Sequence, residues 1–182
     1  MRKSITILAI ALCTYSCIPL RVAPTITDYK ISKGNKFKRS LPKRQMFIFT
    51  DTKEAEEFYN FVNIKYNLNH IDVYDNVPFQ INGMQYFFSF YEVSIPDKAI
   101  NLFPFFLEAG VNAALNVESE ENPEPTEYRK DYFYIAIEVY NDIENDCLSE
   151  NSLSRTSVLN YLRELKNEYL STHNYNEVLF KN

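Results

Sequence analysis

The 182-residue chain contains no tryptophan, three glycines, three cysteines and two histidines. Three glycines leave almost nothing from which to build a glycine-rich phosphate loop. Three cysteines exclude a disulfide scaffold, and two histidines supply few of the ligands that a metal centre collects. Long apolar runs are missing too. The stretch from Ile5 to Leu12 covers eight residues, whereas a helix needs roughly 20 to cross ~30 Å of hydrocarbon. No G-x-S-x-G, H-E-x-x-H or Walker loop is present. What remains is 46% hydrophobic and 15% aromatic residues, enough to bury one sizeable core and too apolar for a wholly disordered or collagenous chain.

Arg2 and Lys3 stand before the Ile5–Leu12 run, the layout of a signal peptide. The segment ends Leu12-Cys13-Thr14-Tyr15-Ser16-Cys17, which resembles a bacterial lipobox, with the small Ser16 directly before Cys17 and Thr14 standing where leucine is usual. Cys13 follows the bulky Leu12 and is the poorer match. The resemblance implies a bacterial lipoprotein in which residues 1–16 are the signal peptide and Cys17 is lipidated on its thiol and acylated on its amine. An ordinary cleaved signal, or an uncleaved apolar N-terminus, is the alternative. More than one acyl chain is what stable anchoring requires, at ~0.8 kcal/mol per buried CH₂. No acid follows Cys17 until Asp28, which resembles lipoproteins sent to the outer membrane and implies a periplasm-facing position. Cys147 would then be the one cysteine of the mature chain without a lipid. Asp142, Glu144, Asp146 and Glu150 surround it and disfavour a thiolate, so it reads as a buried thiol.

Charge divides the remaining chain. Residues 17–44 read as a lipidated basic tether: Lys30, Lys33, Lys36, Lys38, Arg39, Lys43 and Arg44 occur in 28–44 with one acid, Asp28. From Gln45 onward there are 9 basic and 23 acidic residues, a net −14. The tether suits either solvent or an anionic lipid surface. The export signal and the acidic body argue against nucleic acid.

Residues 45–182 read as a single α+β domain. Gln45–Thr50 is apolar on both faces, as in a central strand. Asp51, three residues before Glu54, predicts a helix cap, with the helix running to about Asn67 and burying Ala55, Phe58, Val62 and Tyr66. Asn82-Gly83 between Phe79–Ile81 and Met84–Ile95 predicts a type I′ hairpin. Asp97 predicts the cap of a second, nearly all-apolar helix from Lys98 to Asn116. Tyr128–Tyr140 reads as a strand. A last helix over Ser154–Thr172 carries Val158, Leu162, Leu165 and Tyr169 on one stripe. The order is the ferredoxin-like β-α-β-β-α-β with an additional C-terminal helix, its first strand and long hairpin strand in the middle of the sheet. Another α+β meander of the same elements is the alternative.

Chemistry-bearing clusters are thin. His70 with Asp72 and Asp75 is the nearest approach to a metal or catalytic group. Asp142-Ile143-Glu144-Asn145-Asp146 resembles the start of a calcium loop but lacks the turn glycine, Cys147 standing there, and has Leu153 at the bidentate position. Neither predicts a catalytic residue or a cofactor. The tyrosines say more. Alternation in the last strand puts Phe133, Ile135, Ile137 and Val139 on one face and Tyr132, Tyr134, Ala136, Glu138 and Tyr140 on the other. Tyr132, Tyr134 and Tyr140, with Tyr86 from the hairpin strand, are the candidate partner-binding residues, because tyrosine joins a rigid apolar ring to a polar tip. The final helix or a second copy of the chain would otherwise cover that face.

These features predict a noncatalytic, lipid-anchored cell-envelope protein, in the outer membrane, that binds a protein partner. A narrower version is an immunity-type lipoprotein that neutralises an envelope-acting toxin, since an acidic body steers a basic partner. An envelope enzyme acting on glycan or peptide is the third reading, and it requires His70 and nearby carboxylates to meet in a cleft.

Overall fold

The computed structural model describes residues 17–101 and 126–172. Six strands and three helices occur among them: β1 (Cys17–Arg21), β2 (Lys30–Lys33), α1 (Gly34–Phe37), β3 (Gln45–Asp51), α2 (Glu57–Lys65), β4 (Val77–Ile81), β5 (Met84–Asn101), β6 (Thr126–Tyr140) and α3 (Arg155–Ser171). The strand order is β1-β5-β6-β3-β2, with β4 also on β5.

This is a sheet-dominated, mostly antiparallel fold and corrects the ferredoxin-like expectation. Three residue-level facts account for the difference. β6 lies between β3 and β5, so the first strand and the long hairpin strand are not neighbours. Asp97 caps no helix: Asp97–Asn101 continue β5, and Lys98–Asn101 pair with Cys17–Arg21. A strand partner from the N-terminal segment outweighs the helical pattern read there; the rest of that expected helix lies outside the described residues. Finally, Lys30–Lys33, assigned from sequence to the tether, form an edge strand on β3.

Contacts divide the described residues into two units, 17–24 with 95–101 and 126–132, and 25–94 with 133–172. In the first, β1 pairs with the end of β5 through a register shift between Pro19 and Arg21, and Lys98 pairs with Glu127 at 2.8 Å.

The second unit has a two-faced sheet. One face carries Phe47 and Phe49 of β3, Ile135, Ile137 and Val139 of β6, and Tyr86, Phe88 and Phe90 of β5, all buried. Against it pack Phe58, Phe61 and Val62 of α2 and Val158, Leu162, Leu165 and Tyr169 of α3, the last four being the stripe read from sequence. Perpendicular ring pairs knit this core: Phe58 meets Tyr169 at 4.9 Å and Phe90 at 4.8 Å, geometry that the ring quadrupole favours. α2 starts later than the capping pattern suggests. Asp51 accepts the Lys53 N–H (3.0 Å) in a turn, and Glu92 of β5 accepts the Glu56 N–H at 3.4 Å, with Glu56 at φ 66°. The hairpin is as expected, Ile81 facing Met84 across Asn82 and Gly83 at φ 51° and 79°.

Residues 34–44 cover the opposite face. Phe37 meets Tyr134 edge-on at 5.2 Å, Leu41 is buried, and Gly34 approaches Met46 so closely that a Cβ would lie 2.6 Å from its Sδ. Gly34 N–H donates to the Arg44 carbonyl and Asn35 N–H to the Pro42 carbonyl, both at 3.0 Å. Lys166 of α3 is buried and pairs with Asp28.

Candidate functional site

The tyrosines proposed from sequence do not form one exposed surface. Tyr134 is 1% exposed under Phe37, and Tyr86 is 3% exposed on the helix-covered face, where its hydroxyl donates to Ser154 Oγ at 3.2 Å. Both are core, which corrects their assignment as a contact surface. Tyr140 is half-buried. Its hydroxyl donates to Asn76 Oδ1, its ring stacks on Phe87 at 6.1 Å, and the Arg44 guanidinium lies 5.3 Å from the ring centre. Beside it, Glu138 is buried and accepts from Tyr91 (2.8 Å) and Arg44 (3.5 Å). Burial, then the Glu138 hydrogen bond, push the Tyr91 phenol upward. Tyr132 belongs to the first unit and is half-buried, with the Lys130 ammonium 4.9 Å from its ring. Cys17 falls in β1 opposite Asn101.

The His70 cluster serves its own loop. Tyr59 hydroxyl meets Nδ1 at 3.1 Å, Asn63 Nδ2 meets Nε2 at 3.3 Å, and Asn63 Oδ1 accepts the His70 N–H at 2.7 Å. Among the described residues no three His, Cys, Asp or Glu side chains converge as metal ligands. Two acids of the calcium-like segment are engaged in the fold. Asp146 accepts N–H groups of Gln45 (2.9 Å) and Leu148 (3.2 Å), and Glu144 accepts from Ser152 Oγ (2.8 Å) and Leu153 N–H (3.1 Å).

A different site emerges from these bonds. The β4–β5 hairpin and the 141–157 segment border a groove of about 320 Å³. Ile81, Asn82 and Met84 form the hairpin side; Asn141, Ile143 and Glu144 form the loop side; Leu153, Ser154 and Ser157 lie where α3 begins. Three large apolar side chains stand open here, Met84 at 46%, Ile143 at 82% and Leu153 at 96%. The backbone beneath them is pinned. Asn141 Oδ1 accepts the N–H groups of Ile143 (2.9 Å) and Glu144 (2.6 Å), and Cys147 N–H donates to the Val139 carbonyl at 2.9 Å. The Ser152 hydroxyl, with the Leu153 and Ser154 N–H groups, holds the Glu144 carboxyl below its usual range. Asp142 and Glu150 are exposed on the same segment. Exposed methionine, isoleucine and leucine gathered around one groove on a fixed loop make it the candidate contact surface. Sequence reasoning missed them, though Ile143 between two acids and Leu153 between two serines are apolar residues that no strand or helix stripe explains.

A smaller cavity of about 130 Å³ lies beside Asp51, Glu92 and Phe133. Burial, chiefly, raises both carboxyls above their usual range. Both already hold the fold together. Asp51 accepts the Tyr169 hydroxyl (3.0 and 3.1 Å) and the Lys53 N–H, and Glu92 receives the start of α2.

Compared with known protein families, with curated proteins and with solved structures, the chain shows no significant match.

Proposed function

We propose that this chain is a noncatalytic lipoprotein of the bacterial cell envelope, anchored through Cys17, that binds a protein partner in the groove between the β4–β5 hairpin and residues 141–157. The observation that carries the binding role is the exposure of Met84, Ile143 and Leu153 around one concavity on hydrogen-bonded backbone. Apolar anchors in a recess with a polar rim are the arrangement that concentrates binding energy in protein interfaces. The partner is a protein surface that offers an apolar side chain flanked by basic groups. Asp142, Glu144 and Glu150 border or flank the groove, and the chain beyond residue 44 carries a net −14, so charge steers and selects such a partner. The lipid anchor rests on the Ser16-Cys17 motif.

Two measurements test this. A photo-crosslinking residue at position 153 of the membrane-resident chain should capture one discrete partner that the same residue at Glu164 does not. Leu153→Asp should abolish that adduct, formed by placing the crosslinker at position 143, without lowering thermal stability. Equal crosslinking at 153 and 164, or none at 153, refutes the groove. Cys17→Ala should remove the acyl mass and release the protein from membranes washed at high salt, where charge no longer holds it, and unchanged fractionation in that wash together with unchanged mass refutes the anchor.

A further inference from the structure

Between Asp28 and Asp51 the chain holds seven cations and no acid. The fold sorts these cations into two sets. Lys38 Nζ donates to the Ser94 carbonyl at 3.4 Å, and Arg44 pairs with Glu138. Lys30, Lys33, Lys36, Arg39 and Lys43 are exposed and make no ion pair with any described residue. Register places Lys30 on the side of the sheet that the layer carrying Lys36, Arg39 and Lys43 covers. Lys30 faces Ile48, so its side chain leaves the sheet on the Met46–Ile48 face. Lys36, Arg39 and Lys43 belong to the 34–44 layer that covers that same face. Lys33 faces Gln45 and leaves on the other side.

The layer is built, not loose. Gly34, Asn35 and Leu41 donate backbone hydrogen bonds of 3.0 Å within it, Leu41 is buried, and Phe37 rests on Tyr134. A solvated linker needs none of this. The patch also differs in kind from the groove. The large apolar side chains that stand exposed among the described residues are Leu20, Val22, Ile71, Tyr74, Met84, Tyr128, Phe133, Ile143 and Leu153, and none falls within 25–44. Protein interfaces concentrate energy in apolar and aromatic anchors at their centre. A surface of flexible cations with no such anchor suits a broad polyanionic plane.

We propose that Lys30, Lys36, Arg39 and Lys43 form a docking face for an anionic lipid bilayer. The face lies thirteen residues beyond Cys17 in the chain, but it acts by charge and needs no acyl chain, so it stands whether or not Cys17 is lipidated. Each cation near an anionic membrane surface multiplies partition about fivefold, and the effect falls off within a Debye length.

The test uses the full chain carrying Cys17→Ser, sedimented with vesicles of phosphatidylcholine alone or with about one-third phosphatidylglycerol. Combining Lys36→Gln, Arg39→Gln and Lys43→Gln should weaken binding to the anionic vesicles on the order of a hundredfold and leave binding to phosphatidylcholine unchanged. The triple variant should melt with its parent, because these side chains are exposed. If it does not, Lys43→Gln alone should lower anionic partition about fivefold. Undiminished anionic binding by the variants overturns the proposal. So does an equal loss on both vesicles, or tighter binding to a single-stranded DNA of matched charge than to the anionic vesicles.

Discussion

Gly34→Ala is the sharpest probe of how the sheet's second face is closed. A methyl group at this position would lie 2.5 Å from the Pro42 carbonyl oxygen, 2.6 Å from Met46 Sδ and 2.9 Å from Met46 Cε. The methionine tip can turn aside; the carbonyl cannot, because it belongs to the backbone and holds the Asn35 N–H at 3.0 Å. The 34–44 layer must therefore spread between Gly34 and Pro42. Overpacking of this kind costs about 1–3 kcal/mol. The better helix propensity of alanine, worth up to about 1 kcal/mol in a helix interior, offsets part of that cost in the single turn of α1. A net loss of about 1–2 kcal/mol lowers the melting temperature by about 3–6 °C for a chain of this size. Calorimetry measures the shift, and hydrogen exchange locates it: the Asn35 and Leu41 amides should lose protection while those of α3 keep theirs. An unchanged or raised melting temperature, with Asn35 and Leu41 as protected as before, would refute the close approach of Gly34 to the Pro42 carbonyl.

Two further outcomes follow from the titrating groups. Burial, and after it Glu144, push the Cys147 thiol up to about 12, so on the order of one molecule in ten thousand carries a thiolate at pH 8. Mass mapping should find Cys147 unmodified by iodoacetamide in the native protein and fully modified in denaturant; native labelling at the rate of a free cysteine contradicts its burial. The carboxyls of Asp51 and Glu92 are raised by folding, so each contributes stability that is complete below its unfolded value and lost as pH rises through the folded one. Melting temperature should therefore rise as pH falls from neutral toward the ordinary carboxylate range, and Glu92→Gln should flatten that rise. An undiminished slope in the variant would remove Glu92 as a source.

Much of the helix-covered side is legible in the sequence because periodicity reports it. Val158, Leu162, Leu165 and Tyr169 recur at helical spacing, and Asn82-Gly83 is a turn wherever it joins two strands. The other side is hidden for a reason of composition. A segment with seven cations in seventeen residues resembles a solvated stalk, and only Gly34, Phe37 and Leu41 reveal that it packs. Tyr134 consequently looks like a contact residue when it is the floor beneath Phe37. The strand over Lys98–Asn101, where the sequence predicts the start of a helix, is hidden because its pairing with Cys17–Arg21 is non-local, and local pattern carries no trace of it. The groove escapes for the opposite reason. Ile143 and Leu153 interrupt polar stretches singly, and without coordinates they have no shared surface.

The hydrogen bonds beneath the groove also set its entropy. Asn141 and Glu144 fix the backbone that presents Ile143 and Leu153, so the ordering of that loop is completed during folding and not at the moment of contact. What enters the groove then has to still only the rotamers of Met84, Ile143 and Leu153, at about 0.5–1.5 kcal/mol for each side chain immobilised. On the proposed function, a recess so prepared would bind with little rearrangement of its own, and differences among its partners would be expressed mainly in how long they stay.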